Sequence, residues 1–359
     1  MIPRIPYSLM LALGSAAIVV AATPFTMNLA RRLGALAQPG PRHVHREPVP
    51  QLGGLAMALA VLGMSWLAFA LPGPAQQLNV RHLIGLSLAS LPILALGLVD
   101  DTRGVPPYAK LGLQTCAALV LVSFGYGVPL LTNPMGGELH AGAFNLPLTV
   151  LWVVVVMNAI NLIDGLDGLA SGVVLIAAVT LWWVGRMHED YYVMFLAAPL
   201  AGATFGFLFH NFPRARVFMG DTGSQFLGLT LAAASLLENR KGTTTVTLLF
   251  PLVALGLPIA DSMLAFARRA MHRRPVFRAD SGHIHHRLLH LGLTPLAATL
   301  SLWGLSALLG LVAIVLAQMP RQFGWALLLL LALGIGLAFE LLEAFDRGSR
   351  RPPPRDGGD

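Results

Sequence analysis

Charge is scarce in this chain. Only 11% of its 359 residues are Asp, Glu, Lys or Arg, and its mean hydropathy is +0.69. A soluble domain carries about 25% charged residues, so a soluble enzyme of this length is excluded. Cysteine is almost absent. The lone Cys116 rules out a disulfide within the chain and leaves the compartment unconstrained by thiol chemistry; inside an apolar run it reads as a small core residue. No soluble insert interrupts the apolar blocks, and no repeat is evident, in particular no matching pair of interrupted helices in the two halves. That removes the usual signature of a transporter, which places ionisable groups near the bilayer midplane between inverted repeats.

What is present in quantity is apolar sequence, 55% of the chain. Windows long enough to cross a hydrocarbon core of about 30 Å are predicted at 7–30, 53–71, 82–99, 109–128, 147–163, 168–185, 191–210, 223–237, 244–267, 296–318 and 323–343. The expected fold class is an all-α polytopic membrane protein with about eleven spans. It would form one transmembrane domain over 1–345, followed by a Pro-, Gly- and charge-rich tail over 346–359, expected to be disordered. The basic residues support this count. With eleven spans, Arg4, Arg81, Arg186, Arg240, Lys241 and Arg321 fall on the amino-terminal side, and the remaining eighteen of 24 fall on the other. The positive-inside rule makes that second face cytoplasmic, with the amino terminus outside and the carboxyl terminus inside. A net charge of +7 then describes a basic cytoplasmic face, suited to anionic lipid headgroups and anionic substrates. Nucleic acid is not an expected partner, because the charge is spread over short loops.

The carboxylates are equally lopsided. Asp100, Asp101, Asp164, Asp167 and Asp221 all stand where a span meets the predicted cytoplasmic surface, and acids at membrane depth are costly and usually functional. The stretch "NAINLIDGLDGLASG" over 158–172 puts Asn158, Asn161 and Asp164 at three-residue intervals, a polar stripe on the fifth span. "DDTRGVPPYAK" joins two adjacent carboxylates to Lys110. Hard oxygen ligands of this kind suit magnesium, although a solvated helix end is the other reading. "NFPRARVFMGDTGS" sets Asp221 at the start of a helix near Asn211, Arg214 and Arg216, where a phosphate or metal role competes with a simple helix cap. "RADSGHIHHRLLHLG" supplies His283, His285, His286 and His290 beside Arg278 and Arg287, with no cysteine partner for zinc. That composition suits phosphate better than a metal. In "HREPVPQLGG", Pro48 and Pro50 predict an extended segment, and Gly53 and Gly54 allow close backbone approach. Asp261, within the ninth span, reads as a partner of Arg268 or a polar contact between helices.

Taken together and in this order, these five motifs resemble the polyprenyl-phosphate N-acetylhexosamine-1-phosphate transferases of glycosyltransferase family 4, over about residues 40–295. "HIHHRL" is similar to the WecA/TagO-like branch, related to the branch that transfers phospho-MurNAc-pentapeptide. The resemblance implies transfer of an N-acetylhexosamine-1-phosphate, foremost GlcNAc-1-phosphate, from a UDP-sugar to polyprenyl phosphate at the cytoplasmic face of a bacterial inner membrane. UMP is released, and magnesium, or manganese in its place, is the cofactor. It implies Asp221 as metal ligand, Asp100, Asp101 and Asp164 around the diphosphate, and Asp167, Asn211, Phe218 and Arg46 around the nucleoside, with Asn158 and Asn161 lining the cleft. Lys110 and the loop bearing His283, His285 and His286 are expected to stabilise developing charge, with Arg278 and Arg287 on phosphate. A direct attack by the lipid phosphate is expected, with Asp100 or Asp101 as base or covalent nucleophile the alternative. The sugar, the pathway and the oligomeric state, a homodimer included, are left open by the sequence, and a transporter for an anionic nucleotide or sugar is the competing function.

Overall fold

The computed structural model describes residues 4–38, 47–71, 78–128, 130–132, 138–238, 255–261 and 284–318. Helices dominate them: α1 (Arg4–Leu33), α2 (Gly53–Ala70), α3 (Arg81–Arg103), α4 (Pro107–Ser123), α5 (Asn145–Ile163), α6 (Leu169–Met187), α7 (Tyr191–Asn211), α8 (Gly220–Glu238), α9 (Ile284–His290) and α10 (Pro295–Gln318). Seven of these, α1, α2, α3, α5, α6, α7 and α10, are long and apolar enough to cross a bilayer. The chain is thus an all-helical polytopic membrane protein. Two predicted spans fall short of that standard. Helix α4 has 17 residues, about 26 Å at 1.5 Å per residue, and α8 opens on the polar run GDTGSQ. Of the predicted ninth span, 256–261 are helical. The eleventh span and the 346–359 tail lie outside the described residues.

Two short antiparallel ladders depart from an all-α reading. Strand β1 (Leu36–Ala37) pairs with β2 (Val49–Pro50), and β3 (Leu130–Thr132) pairs with β4 (Glu138–His140). The first follows from the extended segment that Pro48 and Pro50 predict, since the proline ring favours β or polyproline backbone at the residue before it. Cys116 is the other departure. It is exposed on α4, because the face of α4 that turns inward carries Gln114, Ala117, Ala118 and Leu121 instead.

Helix α8 is the centre of the molecule. Residues 222–237 are all buried, and α8 packs against α2, α3, α5, α6 and α7. Its many small residues, which make it look weak as a span, are what let so many neighbours come close. A methyl added at Gly97 of α3 would fall on the backbone of Thr222, one at Gly54 of α2 on the backbone of Gly223, and one at Gly228 of α8 on the backbone of Met157 in α5. The α1–α7 contact uses the same device. Gly202 and Gly206 of α7 lie against the backbones of Ala12 and Ala16 of α1, and Ser15 donates to the Pro199 carbonyl at 2.7 Å.

Gly97→Val is therefore expected to push α3 off α8 and lower stability by about 1–3 kcal/mol or more, read as an earlier thermal transition in detergent or nanodiscs. Gly112 of α4 meets nothing within 4 Å, so Gly112→Ala should leave that transition unchanged or raise it by up to about 1 kcal/mol, the helix-propensity gain over glycine.

Candidate active site

The carboxylates singled out from the sequence converge where the carboxyl-terminal ends of α3 and α5 meet the amino-terminal ends of α4 and α8. Helix α3 runs on to Arg103 and stops at Gly104, whose φ of 76° is left-handed, so Asp100 and Asp101 stand in its last turn. One Asp100 oxygen accepts the Val105 N–H at 2.6 Å, and the other meets the Lys110 ammonium. Asp101 is turned toward α8. It accepts the backbone N–H groups of Asp221 at 2.8 Å and Thr222 at 3.1 Å, together with the Thr222 hydroxyl at 2.7 Å. These are orphan donors of a helix N-terminus, which seeks an anion. Asp101 is thus a cap for α8 supplied by another helix.

Asp221, one residue into α8, is held from two sides. Lys110 Nζ lies 2.5 Å from Oδ2, and Asn161 Nδ2 donates to Oδ1 at 3.0 Å and to the Ser224 hydroxyl at 2.9 Å. Lys110 therefore bridges Asp100 and Asp221. Asp164 follows directly after α5, and its carboxylate accepts no hydrogen bond from the described residues. Loss of water is the main cause, and the nearby Asp221, Asp101 and Asp167 the lesser one, that pushes the Asp164 carboxyl up to about 8.

The predicted nucleoside-side residues build the next wall. Asp167 accepts the Ala215 N–H at 3.0 Å. Asn211 is buried and engaged through both its oxygen and its nitrogen, accepting from Gly168 N–H at 2.9 Å and donating to the Val217 carbonyl at 2.8 Å. Its role in this geometry is to tie the 212–219 loop to the DGLDG turn. On its far side the loop is stitched to the PQLGG segment. Phe218 N–H donates to the Pro50 carbonyl at 2.8 Å, and Gly53 and Gly54 donate to the carbonyls of Phe218 and Met219 at 3.0 Å each. The half-buried Phe218 ring is presented from this splice.

Helix α9 brings in the histidines. Asp261 accepts the Ile284 N–H at 2.8 Å and so caps α9, the polar contact between helices that is one of its two expected roles; Arg268, the partner in the other, lies outside the described residues. The His285 ring lies on the bare backbone of Gly165, beside Asp164. This is what that glycine is for: any side chain there would displace the imidazole. The His286 ring lies with its centroid 4.2 Å from that of His285, tilted by 42°, and Arg287 follows half-buried. His283, Arg46 and Arg278 lie outside the described residues.

Two site-linked residues escape a reading of motifs, Gln114 and Gln225, both 1% exposed. Gln114 donates to Gln225 at 2.8 Å and accepts from Asn158 at 2.8 Å. Asn158 is thereby directed below the carboxylates rather than among them. Helical spacing could have revealed both glutamines, since each lies four residues after a site residue, Lys110 or Asp221.

Asp101→Ala is expected to cost about 1–2 kcal/mol of stability, the worth of a lost helix cap, measured by thermal unfolding. The Asp164 carboxyl holds a proton to about 8 when folded and releases it near about 4 when unfolded. The folded chain thus binds the extra proton between those values, and stability falls as pH rises through that window. In buffer with chelator, Asp164→Asn should flatten the decline of the thermal midpoint between pH 5 and 8; an unaltered slope would assign the decline to another group.

Comparison with known proteins places the chain among relatives. The pattern of glycosyl transferase family 4 covers residues 83–239. The chain is 35% identical over 303 residues to a Bacillus subtilis protein named "Probable undecaprenyl-phosphate N-acetylglucosaminyl 1-phosphate transferase", covering 83% of this chain and 82% of the relative. It is 38% identical to the decaprenyl-phosphate N-acetylglucosaminephosphotransferase of Mycobacterium tuberculosis, covering 78% and 75%. A phospho-N-acetylmuramoyl-pentapeptide-transferase of Synechococcus is 32% identical, covering 76% and 81%. A chain that aligns with these relatives over most of its length, and whose carboxylates gather at one end of its helix bundle, belongs to glycosyl transferase family 4.

Proposed function

We propose that this protein transfers N-acetylglucosamine-1-phosphate from a UDP-sugar to a polyprenyl phosphate at the cytoplasmic face of a bacterial inner membrane. The observation that carries the reading is the convergence of four carboxylates at one end of the helix bundle, with Asp100 and Asp221 bridged by the Lys110 ammonium and with Asp101 and Asp164 beside Asp221. Such a cluster repels a bare diphosphate and suits one that arrives with a divalent cation. Among the described residues no three carboxylates or histidines make a metal site by themselves, so magnesium would be shared with the substrate; the donors suit it in being all oxygen and including a carboxylate, Asp164, left without a hydrogen-bond donor among the described residues. Magnesium is commonly held through one or two carboxylates plus substrate phosphates; here Asp221 would hold it, with Asp164 beside it. When bound it would neutralise charge on the diphosphate.

The chain's own residues position and balance charge. Lys110 and Asn161 fix the two oxygens of Asp221, and Asp167, Asn211 and Phe218 shape the wall for the nucleoside. Both members of the Asp100–Asp101 pair are engaged, one by Val105 and Lys110 and the other by the α8 N-terminus. That arrangement favours a direct route over a covalent one. A phosphate monoester has a second pKa of about 6, so the lipid phosphate is largely dianionic at neutral pH and needs no strong base. Its oxygen forms a bond to the sugar-bearing phosphorus as the bond from that phosphorus to the bridging oxygen breaks, and UMP leaves with the electron pair. The transport reading finds no support, since the ionisable groups crowd one edge and the relatives are named as transferases.

Purified protein in detergent is expected to release UMP from UDP-GlcNAc only when polyprenyl phosphate is present, to stop with chelator and to resume with magnesium. Asp221→Asn should abolish turnover, by about 10³-fold as for a charge-stabilising active-site group, with little change in thermal unfolding. UMP release without lipid, or near-normal turnover of the variant, would remove the transfer reading or Asp221's part in it.

A further inference from the structure

A second tier of polar side chains lies directly beneath the carboxylates, one helical turn deeper in the bundle and on the same three helices. The upper tier is Lys110 of α4, Asp221 of α8 and Asn161 of α5. The lower tier is Gln114 of α4, Gln225 of α8 and Asn158 of α5, joined by the Gln114–Gln225 and Asn158–Gln114 hydrogen bonds at 2.8 Å each. Each lower residue stands four or three positions from its upper counterpart, the spacing that aligns side chains along one helix face.

This stacking matters because of how α4 is held. Helix α4 packs against α3 and α5 and reaches α8 through long side chains, Lys110 to Asp221 and Gln114 to Gln225. The Asp221 carboxylate takes one contact from α4 and one from α5, so its orientation depends on the depth and rotation of those two helices relative to α8. A flexible lysine tolerates sliding; an amide-to-amide bond between two buried glutamines does not.

The tier is a poor way to obtain stability alone. Both glutamines are 1% exposed, and Gln225 Nε2 has no hydrogen-bond partner among the described residues. Replacing two such partners by apolar groups of similar shape is often neutral or stabilising, whereas removing one leaves the other unsatisfied. Polar groups kept at this depth call for a purpose beyond packing.

We propose that Gln114 and Gln225, with Asn158, are positioning residues that set the register of α4 and α5 on α8, and so aim the Asp221 carboxylate for phosphoryl transfer. Neither glutamine touches the reacting atoms; both act through Lys110, Asn161 and Asp221. The inference rests on the transferase reading. The parent's turnover in the same assay separates the two, because an inactive parent refutes the activity and an active parent whose variants match it refutes only the tier.

The test is the double variant Gln114→Leu/Gln225→Leu in the full chain, assayed with UDP-GlcNAc and polyprenyl phosphate in detergent. Thermal unfolding at or above the parent's is expected, with kcat lowered by about tenfold to a hundredfold, the scale of a small misplacement of a reacting group, and KM for the nucleotide sugar within about twofold. Gln225→Glu, held protonated by its burial, keeps a carbonyl oxygen for the Gln114 amide and should retain at least about half of the parental kcat, since the register-setting bond survives. Parental kcat in the double variant would overturn the proposal. So would a loss of kcat that merely tracks lost thermal stability. If the double variant does not fold, Gln225→Glu and Gln225→Met decide: equal kcat in both refutes a role for the bond, and a selective loss in Gln225→Met upholds it.

Discussion

The burial of one helix N-terminus shapes this molecule. Helix α8 begins inside the bundle, and its first N–H groups have no partners within the helix. Away from water such groups must find acceptors in the protein. Asp101 supplies them from the last turn of α3. That contact fixes the end of α3 against the start of α8, and everything at the site follows from it. Gly97 lets the two backbones meet one turn below, Asp100 is left facing Lys110, and Asp221 is delivered to the same ammonium from the other helix.

The site is accordingly an assembly of helix ends rather than a pocket in a loop. Four carboxylates come from three helix termini, and three of them are held by different sets of partners: a loop N–H and the Lys110 ammonium for Asp100, a helix N-terminus for Asp101, the same ammonium and an amide for Asp221. Asp164 has no such donor among the described residues, and loss of water, with the neighbouring carboxylates, pushes it up to about 8. The amide tier beneath continues the order downward, so that charge near the surface gives way to neutral amides and then to the apolar body of α8. This gradient is what the cost of membrane burial requires, since a charge is far more expensive to bury than an amide.

Much of this was readable in the residues. Span positions were legible because apolar length is a one-dimensional property: observed helices cover six of the predicted windows in whole and three more in large part. The polar stripe on α5 was legible because helical spacing is local. The close approach allowed by Gly53 and Gly54 was also foreseeable, although its partner, the backbone of Phe218, Met219 and Gly223, was not. Three readings needed the fold to be placed. Cys116 faces outward because the inward face of α4 is decided by its neighbours, Asn211 spends its amide on two loops, and Asp261 caps α9. Gln114 and Gln225 went unnoticed because a glutamine in an apolar run carries no motif of its own.

By itself the sequence determined that the chain spans a membrane in helices and that carboxylates, asparagines and histidines fall at span ends. Hydropathy, span length and residue spacing along one helix are all properties of neighbours in the chain. Only the tertiary structure decided which carboxylate does what. Asp100 and Asp101 are identical side chains one residue apart, yet successive residues on a helix point about 100° from one another. One therefore turns to Lys110 and the other to the N-terminus of α8, and that division depends on which helices stand on either side.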